Sequence, residues 1–265
     1  MNNEMLTFVT DLAKETGALL TNYFEMDGLP GRLKADHSLV TKADLEADKL
    51  IRKAIQKKYP LDGILSEEGD TFYPDGHPHV WVVDPLDGTT NFSLGLHYWG
   101  VSIARFEEGH PQSAVLYFPI IDECYVAQRG EGLELNGNQC HVPDPQHHAP
   151  TSFFAHCSRT PKQYQINIPY KTRSLGAAAY HLCAVAKGSA IIALETTPKI
   201  WDIAGAWLVV QEAGGSITTL EGGNPFPAHP GLEYGDKPFV TLAAATPSHL
   251  AQAQKGLIRK EVTRP

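Results

Sequence analysis

A chain of 265 residues, 42% hydrophobic and 20% charged, is long enough for a full core and has an ordinary globular composition. Its net charge of -8 argues against nucleic-acid binding, which needs a basic footprint. No apolar run approaches the roughly 18 residues of a membrane span, and no basic segment precedes an apolar one at the N-terminus. The four cysteines, Cys124, Cys140, Cys157 and Cys183, form no CxxC pair, which fits reduced thiols in a cytoplasmic protein.

Leu6, Val9, Ala13, Leu20 and Phe24 mark one face of an N-terminal helix. A second helix is expected from Ala43 to Tyr59, with Thr41 as its cap and Thr41-Lys-Ala-Asp44 as a capping box; Pro60 ends it. Strand signals follow. Gly63-Ile-Leu leads into Ser66-Glu67-Glu68, and His79 to Val83 leads into Asp84-Pro-Leu-Asp87-Gly88-Thr89-Thr90. Gly100 to Phe106, Ser113 to Phe118 and Cys124 to Gln128 are further short strands, and Leu135-Asn-Gly-Asn138 carries the Asn-Gly signal of a tight hairpin.

"PDPQHHAP", Pro143 to Pro150, reads as a linker, and beyond it strands and helices alternate. Strands are expected at Ser152 to Ala155, Ala190 to Leu194, Ser216 to Thr219 and Phe239 to Ala244. Helices are expected at Gly176 to Lys187 and Trp201 to Ala213, each stopped by glycine, and after Thr246-Pro247. The chain thus divides into an α+β half with an antiparallel sheet, residues 1–142, packed on an α/β half, residues 143–265, as one compact unit.

The acids are the chemically informative residues. Asp84 and Asp87 are held in one local geometry by Pro85. Two carboxylates about 4 Å apart repel by roughly 4 kcal/mol at an effective dielectric of ~20, so a shared proton or a divalent cation must compensate. Glu67-Glu68 and Asp202 also stand at the ends of apolar runs, and such an oxygen set suits Mg²⁺. Each piece also has a plainer reading. Asp-Pro-Leu-Asp-Gly is turn chemistry, Asp44 and Asp202 suit helix N-termini, and Glu195 suits a loop. His77, His79 and His147-His148 lack zinc-ligand spacing and read as solvated loops. Gly88-Thr89 and Gly176-Ala177-Ala178 open helices whose first amides can cradle phosphate.

Together the motifs carry a resemblance. "DPLDGTTNF" and "WDIAGAWLVVQEAGG", with "SEEG" at Ser66, "VTKAD" at Val40 and "RGEGLELNG" at Arg129, resemble in order the signatures of the inositol monophosphatase family of metal-dependent phosphatases. The resemblance spans nearly the whole chain and implies a layered αβαβα sandwich of the inositol monophosphatase / fructose bisphosphatase type. It implies two to three Mg²⁺ ions: Glu67, Asp84 and the Leu86 carbonyl on the first, Asp84, Asp87 and Asp202 on the second, with Glu67 reaching a third. It implies that Asp44 and Thr89 orient and deprotonate the attacking water beside Glu67. Asp87, Gly88, Thr89, Gly176, Ala177, Ala178, Glu195 and Asp202 are its implied substrate-binding residues, Glu195 through substrate hydroxyls.

The implied activity is hydrolysis of a small phosphomonoester, inositol monophosphate foremost, by a lithium-sensitive homodimer. Histidinol phosphate, fructose 1,6-bisphosphate and a 3'-phosphoadenosine nucleotide are alternatives within the same machinery, and a noncatalytic binding protein is the alternative outside it. Two departures stand out: Ser66 replaces a family glycine, and the segment Ser158 to Gly176 is short and carries Pro161 and Pro169, which bears on dimer geometry and on sugar specificity.

Overall fold

The computed structural model describes residues 3–25, 32–33, 39–143, 152–221 and 223–260. The linker expected at Pro143 to Pro150, with His147-His148, falls outside these residues except for Pro143.

The chain opens with α1 (Asn3–Phe24), a short β1 (Arg32–Leu33) and β2 (Leu39–Val40) pair, and α2 (Lys42–Lys58). A seven-stranded sheet follows, in the order β3 (Gly63–Ser66), β4 (His79–Asp87), β5 (Gly100–Glu107), β6 (His110–Phe118), β7 (Glu123–Gln128), β8 (Gly132–Leu135), β9 (Asn138–Cys140). Only its β3–β4 edge is parallel. A one-turn helix, α3 (Thr89–Ser93), sits between β4 and β5. The β8–β9 turn at Asn136-Gly137 has positive φ at both residues, as the Asn-Gly signal predicts.

The second sheet is built from β10 (Phe153–His156), β12 (Lys171–Arg173), β13 (Ala190–Glu195), β14 (Ser216–Glu221) and β15 (Val240–Ala244), in the order β12-β10-β13-β15-β14. It is mixed: β10 is parallel to both neighbours and β15 is antiparallel to both of its own. Between its strands run α4 (Thr160–Gln163), β11 (Tyr164–Ile166), α5 (Ala178–Ala186) and α6 (Ile200–Glu212), and the described chain ends with α7 (Pro247–Gly256) and β16 (Leu257–Arg259). The segment from Ser158 to Gly176 is therefore ordered structure without a long helix. Its β11 pairs with β16, nearly a hundred residues away, and its β12 edges the second sheet.

Alternating side chains explain the layering. On β4, Trp81 and Val83 face α1 and α2, while Val80 and Val82 face the opposite core. From Val80 to Val83 the strand is apolar without interruption because both faces are buried. α5 and α6 lie between the two sheets and are buried on nearly every side, which explains their almost uninterrupted apolar sequences. α7 covers the far face of the second sheet, against Leu194, Leu242 and Ala244. The order is helices, seven-stranded sheet, helices, five-stranded sheet, helix, the expected αβαβα sandwich.

Two sequence expectations shift. β4 does not stop before Asp84 but continues through Pro85 to Asp87, and His79 opens this strand instead of lying in a loop. No helix among the described residues is long and apolar enough to cross a membrane, and the four cysteines are free thiols.

Candidate metal and phosphate site

The site begins with an irregularity in β4. Asp84 pairs with Ser102 and Asp87 with Gly100, so Pro85 and Leu86 together oppose Val101 alone. In a regular strand, residues i and i+3 face opposite sides. The extra residue turns both acids the same way. The result is that ligand oxygens of Asp84, Asp87 and Asp202 all lie within 4.8 Å of one another. Glu67 follows β3, its amide bonded to the Val83 carbonyl at 3.2 Å, which sets it on the strand next to Asp84. All four line one cleft of about 670 Å³ with Leu86, Gly88, Thr89, Gly176, Ala177, Ala178 and Glu195. Asp44 stands behind Thr89, buried.

The three clustered aspartates are also held by backbone. Asp84 Oδ1 accepts from the Leu86 amide at 3.0 Å, while its Oδ2 is buried without a hydrogen-bond partner. Asp87 accepts from the amides of Ala178 and Ala179 at the start of α5, at 2.9 and 3.0 Å. Asp202 accepts from the Lys199 amide at the start of α6, at 2.5 Å. The entrance to α5 thus differs from expectation: its Ala178 amide binds a carboxylate of the site itself, so Ala178 acts on the cleft through Asp87.

Asp44 serves two partners at once. Its Oδ2 accepts from Thr41, from the amide at 2.7 Å and from the hydroxyl at 2.5 Å, completing the capping box of α2. Its Oδ1 accepts from the Thr89 hydroxyl at 2.9 Å. The Thr89 oxygen is also 3.1 Å from the Leu86 carbonyl. Thr89 reaches this position because Gly88 takes a left-handed φ of 88° and starts α3 at the cleft wall. A side chain at Gly88 would also stand 2.9 Å from the Tyr98 carbonyl.

Two contributors were not evident from the sequence. Asp48, buried on α2, accepts from the Ser66 hydroxyl at 2.5 Å and from Arg52 at 2.7 Å. The serine that departs from the family pattern thereby ties the Glu67 strand end to α2. The i,i+4 spacing of Asp48 and Arg52 was the available signal. The other is His181, whose Nδ1 bonds the Glu195 carboxylate; no spacing rule links the two.

The electrostatics demand compensation. Burial first, then repulsion from Glu67, Asp87 and Asp202, raises Asp84 well above the usual carboxylate range. Burial, then repulsion from Asp87, Glu67 and Glu195, does this to Asp202, and burial lifts Asp87 to about 7. Hard oxygen donors, mutual repulsion and an unpartnered buried Oδ2 on Asp84 fit a bound divalent cation such as Mg²⁺.

A stability prediction follows. A carboxyl whose folded pKa lies above its unfolded value stabilises the fold while protonated; that contribution is complete below the unfolded pKa and is lost as pH rises through the folded one. For Asp87, moving from 3.8 to about 7, the loss is about 4 kcal/mol. Asp87→Asn sets its NH₂ against one of the two amides that Asp87 accepts, a cost independent of pH; in EDTA its Tm relative to the wild type is therefore expected to rise progressively as pH goes from about 4 to about 7, the window between those two values. Millimolar Mg²⁺ should raise the wild-type Tm at neutral pH by mass action and have little effect near pH 4. Thermal melts across this pH range check it, and a pH-independent difference between the two proteins would count against the cluster's electrostatics.

Known proteins resemble the chain over nearly its whole length. Residues 1–258 match the sequence model of the Inositol monophosphatase family. A histidinol-phosphatase of Chlorobaculum parvum is 35% identical over 230 residues, 82% of this chain and 86% of that protein. A Nus factor SuhB of Pasteurella multocida is 34% identical over 235 residues, 84% of this chain and 88% of that protein. The solved structure of an extragenic suppressor protein suhB from Bartonella henselae superposes with a TM-score of 0.82 at 30% identity, covering 96% of this chain and 98% of that one. With the match spanning residues 1–258, through both sheets, the chain belongs to the inositol monophosphatase family.

Proposed function

We propose that this protein is a Mg²⁺-dependent phosphatase that hydrolyses a small phosphomonoester, with inositol monophosphate as its leading substrate. The observation that carries this reading is the Asp84, Asp87 and Asp202 cluster sharing one cleft with the Thr89–Asp44 pair. Those three acids, with Glu67 and the Leu86 carbonyl, would hold the ions. Bound Mg²⁺ supplies charge that lowers the pKa of water and neutralises the leaving oxygen.

The chain's own residues do the rest. The Thr89 hydroxyl donates to Asp44 Oδ1, which leaves its oxygen lone pairs to accept a proton from the attacking water. Burial raises the Asp44 pKa, making it a better acceptor of the proton that Thr89 passes on. First-turn amides of α3, from Gly88 onward, lack intrahelical partners and suit phosphate oxygens. Glu195 lines the cleft as an acceptor for a substrate hydroxyl, which supports a polyol phosphate.

The test is phosphate release, with and without Mg²⁺, from inositol 1-phosphate, histidinol phosphate, fructose 1,6-bisphosphate and a 3'-phosphoadenosine nucleotide. Mg²⁺-dependent turnover with the highest kcat/KM on inositol 1-phosphate, inhibited by Li⁺, is expected. The name of the Chlorobaculum relative makes histidinol phosphate the main competitor, and a higher kcat/KM on it would reassign the substrate. No metal-dependent turnover of any of the four would favour a noncatalytic role.

A further inference from the structure

His181 lies on α5 between the two sheets, 1% exposed, with both ring nitrogens engaged. Nε2 accepts the Leu175 backbone amide at 2.7 Å. An amide can only donate, so this nitrogen carries no proton and the ring hydrogen must sit on Nδ1. Nδ1 faces the Glu195 carboxylate, so the imidazole donates there. Burial, which pushes His181 down to about 4, keeps the ring neutral. A neutral ring with this assignment has one donor and one acceptor, and both are used.

The two partners matter for different reasons. Glu195 ends β13 and lines the cleft. Leu175 begins the turn that leads into α5. Its carbonyl accepts from the Asn91 amide at 2.6 Å, and the next residue, Gly176, turns left-handed at φ 84° against the same Asn91 side chain. Beyond that turn, the Ala178 and Ala179 amides hold Asp87. One imidazole therefore connects the only buried acid of β13 to the turn that positions a carboxylate of the metal cluster.

We propose that His181 is a positioning residue: it fixes Glu195 relative to Asp87 and the entrance of α5, and so sets where a substrate hydroxyl is accepted. The proposal rests on the phosphatase reading above. Removing the Nδ1 donor leaves a buried Glu195 oxygen unsatisfied and free to turn away from the cleft. The function is selectivity between substrates that offer Glu195 a hydroxyl and those that do not.

Two conservative replacements separate the two contacts. In His181→Asn the amide nitrogen stands where Nδ1 stood and can donate to Glu195. In His181→Gln the amide oxygen can replace Nε2 as acceptor for Leu175, and the donor at Nδ1 is gone. The readout is the ratio of kcat/KM on inositol 1-phosphate to that on p-nitrophenyl phosphate, which has no hydroxyl for Glu195, in the Mg²⁺-loaded enzyme. The ratio is expected to fall roughly 5- to 10-fold in His181→Gln, the loss of about one hydrogen bond, chiefly through KM, and to recover in His181→Asn. Independently of activity, ¹⁵N NMR of labelled imidazoles should show His181 as the neutral Nδ1–H form.

A ratio unmoved by His181→Gln, or an Nε2–H ring, overturns the inference and leaves the phosphatase reading standing. Equal slowing on both substrates does the same, since it marks a purely structural histidine. Wild-type protein that turns over neither substrate overturns the phosphatase reading itself, and this inference with it.

Discussion

Asp84→Asn is expected to abolish Mg²⁺-dependent phosphate release while the protein stays folded. Asparagine has the same shape, and its carbonyl can still accept from the Leu86 amide as Asp84 Oδ1 does. What it removes is the charge on the oxygen that has no protein partner, in the acid most tightly surrounded by Glu67, Asp87 and Asp202. If Asp84 serves both ions, a single substitution weakens both. Loss of several kcal/mol of charge stabilisation lowers turnover by roughly 10³-fold or more. In EDTA the same substitution relieves repulsion, so Tm at neutral pH should rise above that of the wild type. Mg²⁺ should then add less to the mutant than to the wild type. Opposite movements of stability and activity distinguish a site carboxylate from a scaffold one. Near-normal turnover at moderate Mg²⁺, or a metal-free Asp84→Asn that melts well below the wild type, would sink the assignment.

The sequence made the fold legible wherever periodicity and turn chemistry agreed. The capping box at Thr41 and Asp44, the Asn-Gly hairpin and the glycine stops after α5 and α6 all lie close to where the local pattern put them. The pattern failed where pairing is non-local. β11 and β16 are three residues each and exist because Tyr164 pairs with Arg259 across most of the second half of the chain. Nothing in a proline-bearing run of mixed residues announces that.

For the acids, the plain and the chemical readings turned out not to compete. Asp202 accepts an amide at the start of α6 and Asp87 does so at the start of α5, yet both belong to the cluster. Helix N-termini favour carboxylates, and a site assembled from such ends gathers acids that the helices themselves hold in place. The same economy hid Asp48 and His181. Their partners, Ser66 and Glu195, lie on other elements, and only the folded arrangement brings them together.

Asp44 is the sharpest instance, and its substitution is the second large effect. Oδ2 caps α2 through Thr41 while Oδ1 receives the Thr89 hydroxyl, so one carboxylate does both. Three variants separate the roles. Thr41→Ala removes the cap hydroxyl and its neighbouring methyl but leaves the Asp44–Thr89 contact, and should lower stability by about 0.5–2 kcal/mol with kcat little changed. Asp44→Asn keeps the shape but cannot take the proton from Thr89, and its NH₂ group can reverse that hydrogen bond. It should lose about 0.3–1 kcal/mol at the helix start and lower kcat by roughly 10²–10⁴-fold. Thr89→Ala should lower kcat to a similar extent with little cost to stability. KM should move little in either, because the metal ligands and the α3 amides are intact. If Thr89 and Asp44 act as one proton-transfer unit, the double mutant will be scarcely slower than either single mutant. The measurements are kcat, KM and Tm for all four proteins beside the wild type. Independent, multiplying losses in kcat would mean that the 2.9 Å contact between Thr89 and Asp44 is structural and that each residue touches the reaction separately. An Asp44→Asn enzyme that melts lower but turns over normally would reduce Asp44 to the cap of α2.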